Sequence, residues 1–142
     1  MREILFKAKT KMIVGTYNCG KEDGEWVTGC LYCDVGKWII RQFELDRADY
    51  VSYEVDPETV CQYVGFDDKD GKKIFENDFV SCRQYIGGNQ VDYCIERGYV
   101  EMKHGAFGLH REQGYYRPFK DWLEDYEYEV IGNIFDTPEL MS

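Results

Sequence analysis

The chain has 142 residues, 44% hydrophobic and 16% aromatic, and a formal net charge of −10. That is enough apolar material for one compact domain or two small lobes, and it excludes a disordered body, which would be poor in aromatic and β-branched residues. Acidic side chains outnumber basic ones 27 to 17. Phosphate backbones and anionic membranes are both held through Lys and Arg, so neither a nucleic acid nor a membrane is expected as partner.

Twelve Tyr and eight Phe against three Pro favour pleated strands, which accommodate aromatic rings. In chain order, residues 2–8 alternate as a first strand. The cations Arg2, Lys7, Lys9 and Lys11 around it are suited to blocking an edge. Residues 12–14 extend this strand or begin a second, before the turn formers Asn18, Gly20 and Asp23-Gly24. Residues 25–33 form a strand with Trp26, Thr28, Cys30 and Tyr32 on one face and Val27, Gly29 and Leu31 on the other. A short loop at Asp34-Val35-Gly36 returns it as residues 37–43, making a hairpin. A strand over 50–55 leads to Asp56, a helix N-cap, with Pro57 at the first helical position, where its missing N–H costs nothing. One or two helical turns over 57–63 then end at Gly65.

Asp67 to Gly71 form a tight turn whose Asp70-Gly71 dipeptide favours positive φ. Strands follow over 72–82, 90–96, 98–103 and 106–110, with turns at Gly87-Gly88-Asn89 and Arg97-Gly98. A helical turn over 119–125 precedes a closing strand over 127–135, and Pro138 terminates the tail. Strands recurring every 8–12 residues or so suggest a small barrel or sandwich. The expected fold is therefore mainly β: antiparallel strands, a small barrel-like C-terminal half and one or two short helical turns. It reads as one domain over 1–142, with an N-terminal β lobe at about 1–63 and a barrel-like lobe at about 66–140. No signal-like apolar segment follows Met1, and no run of about 18 apolar residues could span a membrane. The expected compartment is the cytoplasm, with all six cysteines as reduced thiols.

Three motifs invite chemistry. Aligning Gly71 with a calcium-loop glycine puts Asp68 and Asp70 at ligand positions, but the first and last ligands would be Phe66 and Asn77, so the template fails at both ends. Cys30-x2-Cys33, with Cys19, His104 or His110, has the composition of a zinc site. On a strand, however, residues three apart face opposite ways and lie about 10 Å apart. A Cys/His nucleophilic pair finds no helix N-terminus or elbow motif to activate it. No catalytic residue, metal or cofactor is expected. The acidic, aromatic stretch over 121–129 offers Asp121, Trp122, Glu124, Asp125, Tyr126 and Tyr128 as a surface for a basic protein partner. Edge pairing by the aromatic strands of 98–110 would instead give a homo-oligomer.

Several phrases run in a characteristic order: the opening MREILFKAKTK; Asp23 to Gly29; Tyr53 to Val60 with Gln62-Tyr63; Asp68-Lys69-Asp70-Gly71-Lys72-Lys73-Ile74-Phe75-Glu76; His104 to Leu109; and Glu129 to Leu140. Together they resemble the YopX proteins of phages and prophages. The resemblance implies a mostly β fold and a phage or prophage origin, and it carries no established activity, cofactor or catalytic residue. Two departures stand out: residues 11–20 look like an insertion, and Asn77 stands where Gly is usual before Asp78. That Asn is strained only if its φ is positive, a conformation Asn tolerates better than most residues. The function expected is that of a phage or prophage accessory protein acting by protein binding. A thiol- or metal-dependent enzyme and a self-assembling protein are the alternatives.

Overall fold

The computed structural model describes residues 3–11, 24–86, 89–111, 116–119 and 126–141, with the backbone alone for 84–86, 89–95 and 141. The chain divides into two compact units, Met1–Tyr63 and Val64–Ser142.

In the first unit β1 (Phe6–Lys9), β2 (Trp26–Asp34), β3 (Lys37–Glu44) and β4 (Asp49–Glu54) form an antiparallel meander. A single 3-10 turn at Pro57–Thr59 then sends β5 (Cys61–Asp67) back beside β1. Asp56 caps that turn as expected, its Oδ1 accepting from the Glu58 N–H at 3.0 Å. Strand alternation fixes which side is core. Ala8 faces Val27, and Leu31, Ile40 and Tyr53 line up across three strands. Ala8, Val27, Ile40, Tyr53 and Val55 are fully buried together. The buried Tyr53 hydroxyl is satisfied by Glu44 Oε1 at 2.6 Å. β2 pairs with β1 as far as Gly29 and with β3 from Cys30 onward. A Cβ at Gly29 would lie 1.9 Å from the Arg41 carbonyl oxygen, so only glycine permits that change of partner.

The second unit begins within β5, which turns at Asp68 and is flanked in the same sheet by β6 (Lys73–Phe75). β7 (Asp78–Ile86), β8 (Asn89–Lys103), β9 (Ala106–Arg111) and β10 (Tyr116–Pro118) form a second meander, and β11 (Tyr126–Asn133) returns beside β7. The core joins Ile74, Val80, Cys82, Val100, Leu109, Phe119 and Tyr128, with Val64, Phe66 and Phe107 packed against it. Phe66, Phe119 and Tyr128 meet at ring-centroid distances of 5.1 to 5.7 Å. The two units thus share one topology: a four-strand meander whose first strand is flanked by the second and the fifth.

The fold is mainly β and antiparallel, as expected, but the barrel-like closure is corrected: the five-stranded sheet is open, in the order β10-β9-β8-β7-β11. Its two edges are closed off rather than joined. β10 is short and contains Pro118, which offers no N–H. The outer edge of β11 is occupied by the Asp68 turn. Val130 N–H donates to Asp68 Oδ2 at 3.0 Å, and Lys69 N–H donates to the Tyr128 carbonyl at 2.9 Å. Asp68 Oδ1 meanwhile accepts from the Asp70 and Lys72 N–H groups, each at 2.9 Å.

Three local expectations are also corrected. The helical reading over 57–63 is only the 3-10 turn. From Cys61 the chain is strand, with Cys61 and Tyr63 alternating inward and Gly65 inside it at φ 105. The strand expected over 72–82 breaks at Glu76-Asn77, where Asn77 has φ 70, so the condition for strain at this departure from the family pattern is met. Residues 90–96 and 98–103 are one continuous strand. Gly98 is a point of close approach, since a Cβ there would lie 2.2 Å from the His110 carbonyl oxygen. Residues 12–14, Cys19 and the helical turn over 120–125 lie outside the described residues.

Candidate functional site

Of the nine large hydrophobic side chains exposed among the described residues, seven belong to the first unit, and six fall between Tyr32 and Tyr50. Register explains how they come together. The core face of β2 and β3 takes Val27, Leu31 and Ile40, so Trp26, Cys30, Tyr32, Ile39, Arg41 and Phe43 stand on the other face. Lys7 and Lys9 join them from β1, and Tyr50 and Ser52 from β4. The Phe43 and Tyr50 rings pack edge to face at 5.2 Å. They are nonetheless 46% and 54% exposed. The Arg41 guanidinium lies 5.0 Å from the Tyr50 ring centroid. Tyr32 donates its hydroxyl to Ser52 Oγ at 3.2 Å. At the far end Lys7 Nζ sits 4.7 Å and Lys9 Nζ 5.4 Å from the Trp26 ring centroid.

The hairpin tip adds a second signal. Val35 is 93% exposed and adopts φ 50. For a β-branched residue that left-handed conformation costs about 1–2 kcal/mol. Trp38, opposite Cys33, is exposed beside it. The hairpin tip is thus an exposed apolar residue held in a strained backbone.

The second unit instead holds a polar cluster on its core face, built from five strands. Arg117, 9% exposed, donates to Glu96 Oε2 at 2.6 Å and to the Tyr126 hydroxyl at 3.0 Å, and its guanidinium lies 4.3 Å from the Tyr126 ring centroid. Its NH2 also reaches Cys82 Sγ at 3.5 Å. Arg111 takes the other Glu96 oxygen at 3.0 Å. Burial pushes the Cys82 thiol up to about 11, with the Glu96 charge adding to the rise and Arg117 opposing it. Burial likewise raises Tyr128. For Arg117, burial opposes the charge, but Glu96 and the Tyr126 and Cys82 groups outweigh it and hold the guanidinium protonated. A thiol pushed up in this way is not a nucleophile, so the cluster ties strands together.

Of the partner surface expected over 121–128, Asp121, Trp122, Glu124 and Asp125 lie outside the described residues. Tyr126 is half-buried with its hydroxyl on Arg117, and Tyr128 is 5% exposed in the core. Cys30 and Cys33 are exposed, opposite Arg41 and Trp38, on the two faces of β2. Among the described residues no group of three His, Cys, Asp or Glu side chains could hold a metal ion. His104 sits in a turn at φ 54. His110 stacks on Tyr99 at 4.7 Å, with its Nδ1 3.1 Å from Glu101 Oε1. Both Asp68 oxygens are taken by backbone N–H groups, which removes the calcium reading as well. The aromatic face of β2–β4 was missed because aromatic residues occur on both faces of that hairpin. Alternation separates the faces without saying which is covered.

Two antiparallel β units, one of them with an exposed aromatic face, define a mainly β protein. The YopX protein family model matches residues 20–142, and the chain belongs to that family. No curated protein matches it. Among the described residues no helix is long and apolar enough to cross a membrane.

Proposed function

We propose that the protein is a phage or prophage accessory protein that acts in the bacterial cytoplasm by binding another protein, with no catalysis of its own. One observation carries this reading: exposed aromatic side chains concentrate on β2–β4 of the first unit. Tyr, Trp and Arg dominate binding hot spots, and Tyr50 and Arg41 stand together on one face of the sheet with Tyr32 and Phe43. Family membership supports the lineage. The raised Cys82 thiol and the fully engaged Arg117 argue against chemistry in the second unit.

The test is affinity capture from host lysate with the intact chain and with a Phe43→Ser/Tyr50→Ser variant. Both rings stand clear of the core, so the variant should unfold at nearly the same temperature and lose the captured protein. Removing hot-spot rings costs about 2 kcal/mol or more, roughly thirtyfold in affinity. Capture of the same protein by both forms, or of none by either, removes the reading.

A further inference from the structure

The face that carries the exposed rings has a charge opposite to that of the rest of the chain. It presents Lys7, Lys9 and Arg41 against Glu54, while Asp34 and Lys37 face each other across the hairpin. The whole chain stands at −10. The first unit contains eight basic and eleven acidic side chains, a net −3, whereas this face carries Lys7, Lys9, Lys37 and Arg41 against Asp34 and Glu54. Arg41 is exposed and rests against Tyr50, and no carboxylate pairs with it among the described residues. A guanidinium carries its donors in a planar fork, the geometry that takes a carboxylate through two parallel hydrogen bonds.

We propose that this face takes an acidic, apolar-bearing segment of a partner protein, with Arg41 receiving a carboxylate and Tyr32, Phe43 and Tyr50 receiving the apolar side chains. This inference rests on the reading that the same patch binds protein, and it names the chemistry of what is bound. A single-stranded nucleic acid would meet the same cations and rings, but its charge continues at every nucleotide. Every further phosphate would add charge of the sign the chain itself carries, −10 in all. One or two carboxylates flanked by apolar groups match the small positive area and its aromatic border.

Fluorescence anisotropy with the intact protein tests it, using two labelled probes: a peptide of alternating Asp and Leu, and an oligo-dT strand of equal length. The peptide should bind, weaken as salt is raised, and lose at least about tenfold in affinity with Arg41→Gln. Arg97→Gln, which removes an exposed cation of the second unit, should leave peptide binding unchanged. Unchanged melting temperatures for both variants exclude unfolding as the cause. Tighter binding of oligo-dT than of the peptide, no peptide binding, or peptide binding indifferent to Arg41→Gln would each overturn the proposal. The last two results, together with loss of lysate capture in Phe43→Ser/Tyr50→Ser, would leave the patch a protein-binding surface and remove only the acidic partner.

Discussion

Asp68 does more than form its turn. Three N–H groups, two from its own loop and one from β11, converge on a side chain 8% exposed. Burial would raise its pKa. The hydrogen bonds from Val130, Lys72 and Asp70, with the Lys72 charge, outweigh that and hold the carboxyl below its ordinary value. A depressed folded-state pKa means that the stabilisation is fully present above the unfolded value near about 4 and is lost as pH falls through the folded one. Asp68→Asn should therefore cost about 2 kcal/mol near neutrality. Denaturant melts across pH should show the gap to the unmodified protein closing below about pH 4; a gap independent of pH would rule out the carboxylate as its source. Asn77 and Val35 test backbone strain in opposite settings. Asn77, at φ 70, donates its N–H to the Val100 carbonyl and accepts from the Ile134 N–H. Asn77→Gly should be near neutral, while Asn77→Val should cost about 1–2 kcal/mol. Val35→Asn should raise the melting temperature by relieving a comparable strain.

At the scale of elements, legibility followed the locality of the signal. The hairpin of β2 and β3 was readable because alternation and the Asp34-Val35-Gly36 loop lie in one continuous stretch. β5 was not, because Asp56-Pro57 announces a helix start, and what stops the helix is pairing with β1, some fifty residues earlier in the chain. The break between β6 and β7 depends on a left-handed Asn, a conformation that residue type permits without requiring. β8 was divided at Gly98 because glycine reads as a stop when its neighbours in space are unknown. There it admits the His110 carbonyl, so Gly98→Ala should force β8 and β9 apart and cost about 1–3 kcal/mol by denaturant melt. The Arg117 cluster could not be seen at all, since Cys82, Glu96, Arg111, Arg117 and Tyr126 meet only through register. Its consequence is measurable as thiol reactivity. At pH 8 peptide-level mass spectrometry should find Cys30 and Cys33 alkylated quickly, and the buried Cys61 and Cys82 only under denaturing conditions.

For the whole molecule, the charge balance and the two sheets set the behaviour. The isoelectric point near 4.7 means that mutual repulsion between molecules vanishes on mild acidification, when exposed rings are no longer kept apart. Light scattering should rise near that pH and rise less for Phe43→Ser/Tyr50→Ser; equal scattering from both forms would place the association elsewhere. The exposed aromatic strands that suggested edge pairing over 98–110 are interior, since β8 lies between β7 and β9, and β9 between β8 and β10. The shared strand order also bears on how the protein is made. In each unit the first strand waits for the fifth, so neither sheet has all its neighbours until its last strand leaves the ribosome. β1 has both its neighbours once the opening residues of β5 are made, and the first sheet is complete with β6, while most of the second unit is still unsynthesised. Vectorial synthesis thus lets the two sheets form one after the other, and keeps the aromatic strands of the first from mispairing with those of the second.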